Sequence, residues 1–157
     1  MSAWSDRLKQ LWSLLFSEAR KGEELSYNQL SYLGDSLLDL CIRLKIMDAH
    51  PEMEIEELHQ QAIKYVNPVT ERLFLEEIYV GLTDEEKRMV GKIKRNVSRF
   101  PSYIHLQDFQ GARALEALLA YLFIIEDFER LQSFVDRFEY LVEEEKLPKT
   151  DKRKEDI

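Results

Sequence analysis

A single cysteine, Cys41, in a chain of 157 residues excludes an internal disulfide and suits a reducing, cytoplasmic compartment. Only 5 glycines and 4 prolines occur, too few for a turn-rich sheet protein, while long helices are unobstructed. No apolar run approaches the roughly 20 residues that cross a bilayer. The opening Met1 to Arg7 lacks a basic region followed by an apolar block, so neither a membrane anchor nor a secretory signal is expected. Three scattered histidines, His50, His59 and His105, and one thiol cannot assemble a zinc site. No Gly-rich phosphate loop and no nucleophile elbow are present, so no nucleotide cofactor or covalent nucleophile is expected. The net charge of −8 argues against indiscriminate polyanion binding and leaves local patches open.

What the chain does have is helical periodicity, and 45% hydrophobic with 33% charged residues fits an ordinary globular domain. The expected fold class is all-α. Leu8, Leu11, Trp12, Leu15 and Phe16 mark an amphipathic helix over residues 2–20, with Gly22 near its C-cap. Ser26 caps a second helix reaching about 47, with Leu30, Leu33, Leu37 and Leu44 as its buried stripe. Further helices are expected over 54–66 and, after Asn67-Pro68, over 69–80. Thr83 and Glu86 form a capping box that starts a helix running to about 97. The most apolar helix covers 108–125, and the last covers 127–144. Residues 1–146 read as one domain and 147–157 as a charged, disordered tail.

Two lone carboxylates interrupt apolar stretches. Asp35 lies in Tyr32-Leu33-Gly34-Asp35-Ser36-Leu37-Leu38, and Glu116 lies in Ala114-Leu115-Glu116-Ala117-Leu118-Leu119. A charge beside a core-facing stripe is costly unless something compensates it. A hard divalent cation shared by two helices is one compensation, since Mg²⁺ takes one or two carboxylates and keeps several waters. Asn28, Ser31, Asp35 and Asp39 lie along one side of the second helix, opposite leucine, and Gly34 leaves a gap for close approach. The plain structural alternatives are a solvated polar face for Asp35 and a buried, hydrogen-bonded glutamate for Glu116.

Between residues 87 and 99 the chain carries Lys87, Arg88, Lys92, Lys94, Arg95 and Arg99 and no acid. Arg88, Lys92, Arg95 and Arg99 share one helical stripe, and Val90, Ile93 and Val97 share another, apolar one. That is a helix with a cationic outer edge suited to a phosphate backbone, read by shape rather than by base edges. A solvated charged face is the plain alternative.

These residues resemble a known family. Tyr32-Leu33-Gly34-Asp35-Ser36-Leu37-Leu38-Asp39-Leu40 is similar to the ribonuclease III signature, and Leu115-Glu116-Ala117-Leu118-Leu119-Ala120-Tyr121-Leu122 to the family's second acidic motif. The residues from Leu58 to Asn67, Leu82 to Lys87 and Arg95-Asn96 resemble the small variant called Mini-ribonuclease III. The resemblance covers about residues 25–137, with no appended double-stranded-RNA-binding domain. It implies a ribonuclease III-like helical domain, a homodimer, and Mg²⁺-dependent cleavage of double-stranded RNA, with Mn²⁺ as a substitute ion. It implies Asp35 and Glu116 as catalytic metal ligands; the basic stripe of Arg88, Lys92, Arg95 and Arg99, with Lys94 and Asn96 beside it, is the expected RNA-contacting set. Maturation of the large-subunit ribosomal RNA precursor is the implied role.

Asp39 is either a supporting acid or a surface residue. The sequence departs from full-length family members, which carry acids at the positions of Asn28, Ser31 and Arg113; the small variant also dispenses with some of them. The small variant's Arg-Gly-Arg-Asn stretch is here Ile93-Lys94-Arg95-Asn96. Two other readings stay open: a catalytically silent ribonuclease III-like scaffold that binds RNA, and a helical interaction bundle with no RNA role.

Overall fold

The computed structural model describes residues 25–148, together with positions 6, 7, 10, 11, 13 and 14, which are helical. The rest of the expected helix over 2–20, its cap at Gly22, and the tail beyond 148 lie outside the described residues. Among the described residues every regular element is helical. They are α1 (Tyr27–Ala49), α2 (Ile55–Ile63), α3 (Pro68–Ile78), a 3₁₀ turn (Tyr79–Gly81), α4 (Asp84–Asn96), α5 (Leu106–Ile124) and α6 (Phe128–Glu143).

Local chemistry starts these helices where the sequence predicts. At α1 the Ser26 hydroxyl accepts from Gln29 N at 3.2 Å, and Gln29 Oε1 accepts from Ser26 N at 2.9 Å. At α4 the same reciprocal box joins Thr83 and Glu86. Asp84, Glu85 and Glu86 occupy its first turn, and Lys94 and Arg95 its last, which complements the helix dipole at both ends. At α3 the Asn67 side chain accepts from Thr70 N at 2.9 Å, and Pro68 takes the first helical position.

The core is organised around α5, whose Ala114, Leu115, Ala117, Leu118, Leu119, Ala120 and Leu122 are all essentially inaccessible. Helix α1 packs along it, and α3 and α4 close other sides. Each fully buried Leu or Phe contributes about 1.5–3 kcal/mol from the area it removes from water. Beneath α3 and α6, the Phe74 and Phe138 rings stack at 4.3 Å, with Tyr65 edge-on to Phe138 at 5.5 Å.

One expectation is corrected. Leu44 is 44% exposed rather than buried, and Leu33 is only half-buried. The buried face of α1 runs through Leu30, Gly34, Leu37, Leu38, Cys41, Ile42 and Ile46. At 3.6 residues per turn, that face lies beside the Ser31–Asp35 side instead of opposite it. The acidic side therefore borders α5, while Leu40, Leu44 and Met47 form an exposed apolar strip.

Candidate active site

The acid pair is assembled by a backbone contact. An ideal Cβ on Gly34 would stand 1.8 Å from the Glu116 carbonyl oxygen and 2.8 Å from its Cα, so only glycine admits α5 this close. One turn earlier, the buried Ser31 hydroxyl donates to the Arg113 carbonyl at 2.8 Å. Ser31 thus fastens the two helices together. These contacts set Asp35, on the exposed rim of α1, beside Glu116, which is 6% exposed on α5.

Glu116 places a carboxyl group where it is poorly satisfied. Its Oε2 is buried without a hydrogen-bond partner among the described residues. Arg113 Nη1 approaches that oxygen at 3.5 Å, within ion-pair range but without hydrogen-bonding geometry. Burial first and Asp35 second push the Glu116 carboxyl up to about 8, against the opposing pull of Arg113. The Arg113 guanidinium also lies over the Phe109 ring, 5.8 Å from its centroid.

A third acid escaped the sequence reading. Glu71, in the first turn of α3, is 3% exposed. Its carboxyl is held well above the usual range, first by burial, then by Glu116 and then by Asp35. In sequence it resembles an ordinary first-turn acid placed for the helix dipole. The signal that would have found it is spacing. Glu71 shares the i, i+3, i+4, i+7 stripe with Phe74, Leu75 and Ile78, and that stripe is the buried face.

Other acids are occupied elsewhere. Asp39 pairs with Arg43 Nε at 2.9 Å on the surface, and Asp108 is buried against Arg72 Nε at 2.5 Å. Among the described residues no three His, Cys, Asp or Glu side chains converge into a ready metal cage. A buried carboxylate oxygen without a donor, next to a second carboxylate at the rim, still fits a hard cation that retains much of its water shell.

The expected basic set lies on α4 and the segment after it. Arg88, Lys92, Arg95, Asn96 and Arg99 are exposed and Lys94 is half-buried, while Val90 and Ile93 point into the core. Helix α4 ends at Asn96, so Arg99 continues the cationic surface from the loop. No salt bridge to a described acid involves Arg88, Lys92, Lys94, Arg95 or Arg99. Gln110 donates to the Lys94 carbonyl at 2.8 Å, which ties the end of α4 to the start of α5. The basic edge is thereby held in register with the helix that carries Glu116.

Comparison with known proteins gives a consistent pattern. Residues 28–127 match the ribonuclease III domain family. The chain is 32% identical over 118 residues to Mini-ribonuclease 3 of Thermoanaerobacter sp. (strain X514), covering 73% of this chain and 81% of that protein. It is 29% identical over 117 residues to Mini-ribonuclease 3 of Clostridium tetani, covering 73% and 77% respectively. A crystal structure of a Fusobacterium nucleatum protein shares the fold with a TM-score of 0.66 at 24% identity, over 73% of this chain and 91% of that one.

Proposed function

The chain belongs to the ribonuclease III family and is an endoribonuclease of that type, and on this premise we propose that it cuts double-stranded or structured RNA with Mg²⁺. Its substrate is a large-subunit ribosomal RNA precursor, its working form is a homodimer, and Mn²⁺ substitutes for Mg²⁺. The observation that carries the reading is the Gly34–Glu116 contact, which holds two carboxylates from distant parts of the chain at one helix junction.

Asp35 and Glu116 hold the ion. When bound, Mg²⁺ supplies charge stabilisation at a phosphoryl oxygen and makes water a competent nucleophile near neutral pH. The remaining work belongs to side chains. Arg88, Lys92, Lys94, Arg95 and Arg99 neutralise backbone phosphates and fix the duplex against α4, with Asn96 adding a neutral polar contact. Ser31 and Gly34 keep the carboxylates from drifting apart. Cutting both strands of a duplex calls for two such sites, and the exposed strip of Leu40, Leu44 and Met47 on α1 supports pairing with a second copy.

A second reading is favoured by one observation, the Arg113 cation 3.5 Å from Glu116 Oε2, where it competes with a metal. Under it the protein is a catalytically silent scaffold that binds RNA. Incubation with duplex RNA, with and without Mg²⁺, separates the two. Cleavage confined to the Mg²⁺ arm, and lost in Glu116→Gln with RNA affinity retained, supports the nuclease. Equal inertness in both arms leaves the scaffold.

A further inference from the structure

We propose that Glu71 is a third carboxylate of the cation site, a proposal that rests on the reading of Asp35 and Glu116 as its ligands. Glu71 is 3% exposed, and its carboxylate makes no hydrogen bond or salt bridge with a described residue. Two acids act on it, Glu116 from α5 and Asp35 from α1. A buried carboxylate is ordinarily paired with a cation or satisfied by donors. Here the adjacent cation is turned away. Arg72 Nε bonds Asp108 at 2.5 Å and Arg72 Nη1 bonds Glu76 at 2.7 Å, on another side of α3. Among the described residues the cation that reaches the cluster is Arg113, and it sits on Glu116.

The backbone fixes this placement. A Cβ on Gly111 would lie 3.0 Å from the Arg72 Cα, so α3 and α5 touch one residue from Glu71. Gly34 does the same for α1 and α5 at Glu116. Two glycine contacts thus bring three helices together around three acids, two of them buried, and the buried Glu116 Oε2 has no hydrogen-bonding donor among the described residues. The three do not close into a direct cage among the described residues. Glu71 therefore acts on the ion through the waters that Mg²⁺ or Mn²⁺ keeps, as an outer carboxylate that raises affinity and orients that shell.

The test uses the full chain without RNA, titrated with Mn²⁺ and followed by isothermal calorimetry and by electron paramagnetic resonance of free Mn²⁺. Glu71→Gln keeps the shape and removes the charge. It is expected to weaken Mn²⁺ binding by about 10–100-fold, the range found for outer-shell partners of metal ligands. The melting temperature of the metal-free variant should rise, because a repelling charge is gone, and its increase on adding Mn²⁺ should shrink. Glu71→Asp should recover part of the affinity. Wild-type Mn²⁺ affinity in Glu71→Gln, with Glu116→Gln binding lost, overturns the role of Glu71 alone. Wild-type affinity in both variants overturns the underlying Asp35 and Glu116 assignment as well. A lower metal-free melting temperature with unchanged Mn²⁺ affinity marks Glu71 as purely structural and also sinks the proposal.

Discussion

Gly34 and Glu116 touch backbone to backbone, with a virtual Gly34 Cβ only 1.8 Å from the Glu116 carbonyl oxygen. That distance is far inside any tolerated contact, and the obstructing atoms belong to a helix backbone that cannot swing aside. In the middle of a helix, glycine costs about 1 kcal/mol relative to alanine, so the position gives up local stability for close approach.

The first prediction follows from that contact. Gly34→Ala regains helix propensity but forces α1 and α5 apart. The net effect should be a loss of about 1–3 kcal/mol or more, the usual cost of overpacking a close-packed interior. The Ser31–Arg113 hydrogen bond should weaken with it. Chemical denaturation measures the stability, and cleavage of duplex RNA measures the site. Activity should fall further than stability alone explains, because Asp35 moves with its helix. An alanine variant with wild-type stability and turnover would show that the two helices have room to spare.

Much of the fold was legible because helix starts are written in local chemistry. Ser26 with Gln29, Thr83 with Glu86, and Asn67-Pro68 each satisfy their own orphan donors within four residues, and each starts a helix where expected. The acid pair was legible too, since Gly34 beside Asp35 and a lone Glu116 among leucines are both locally anomalous. Helix rotation was less legible. Leu44 fits a leucine stripe by spacing, yet the buried face of α1 is set by where Gly34 admits α5, and that is a tertiary choice. Glu71 was missed for a related reason. In the first turn of α3 an acid is favourable by itself. Its burial depends on Gly111, forty residues later, letting α3 settle on α5.

A second prediction concerns pH in the absence of divalent ions. The Glu116 carboxyl rises from the ordinary 4.5 to about 8 on folding, chiefly through burial and then through Asp35. The groups that act on it are Asp35 from α1, Glu71 from α3 and Arg113 on its own helix. Between those two values the folded state binds more protons than the unfolded one. Stability therefore falls as pH increases from 4.5 to about 8. Glu71, shifted in the same direction, adds to the fall. Unfolding midpoints measured in a chelator should decline across that window. Glu116→Gln should flatten the decline, since an amide does not titrate there. A midpoint that climbs with pH over the same range contradicts the buried, proton-holding state of this carboxyl.

The last prediction tests the cationic edge. Arg88 and Arg95 are exposed on α4, share its outer face, and have no described acidic partner to neutralise them. Each phosphate contact releases condensed counterions, so affinity for a duplex falls with salt by a log–log slope of about 0.9 per contact. Replacing both residues with alanine should weaken duplex RNA binding across unrelated sequences and reduce that slope by about 2. Helix α4 should persist, because Val90 and Ile93 still anchor it and alanine is a better helix former than arginine. Circular dichroism checks the helix, and fluorescence anisotropy across a salt series gives the slope. If the double variant keeps the wild-type slope, the phosphate-binding surface lies on another face of the molecule, and the order of Arg88, Lys92 and Arg95 along α4, with Arg99 in the loop after it, reflects solvation alone.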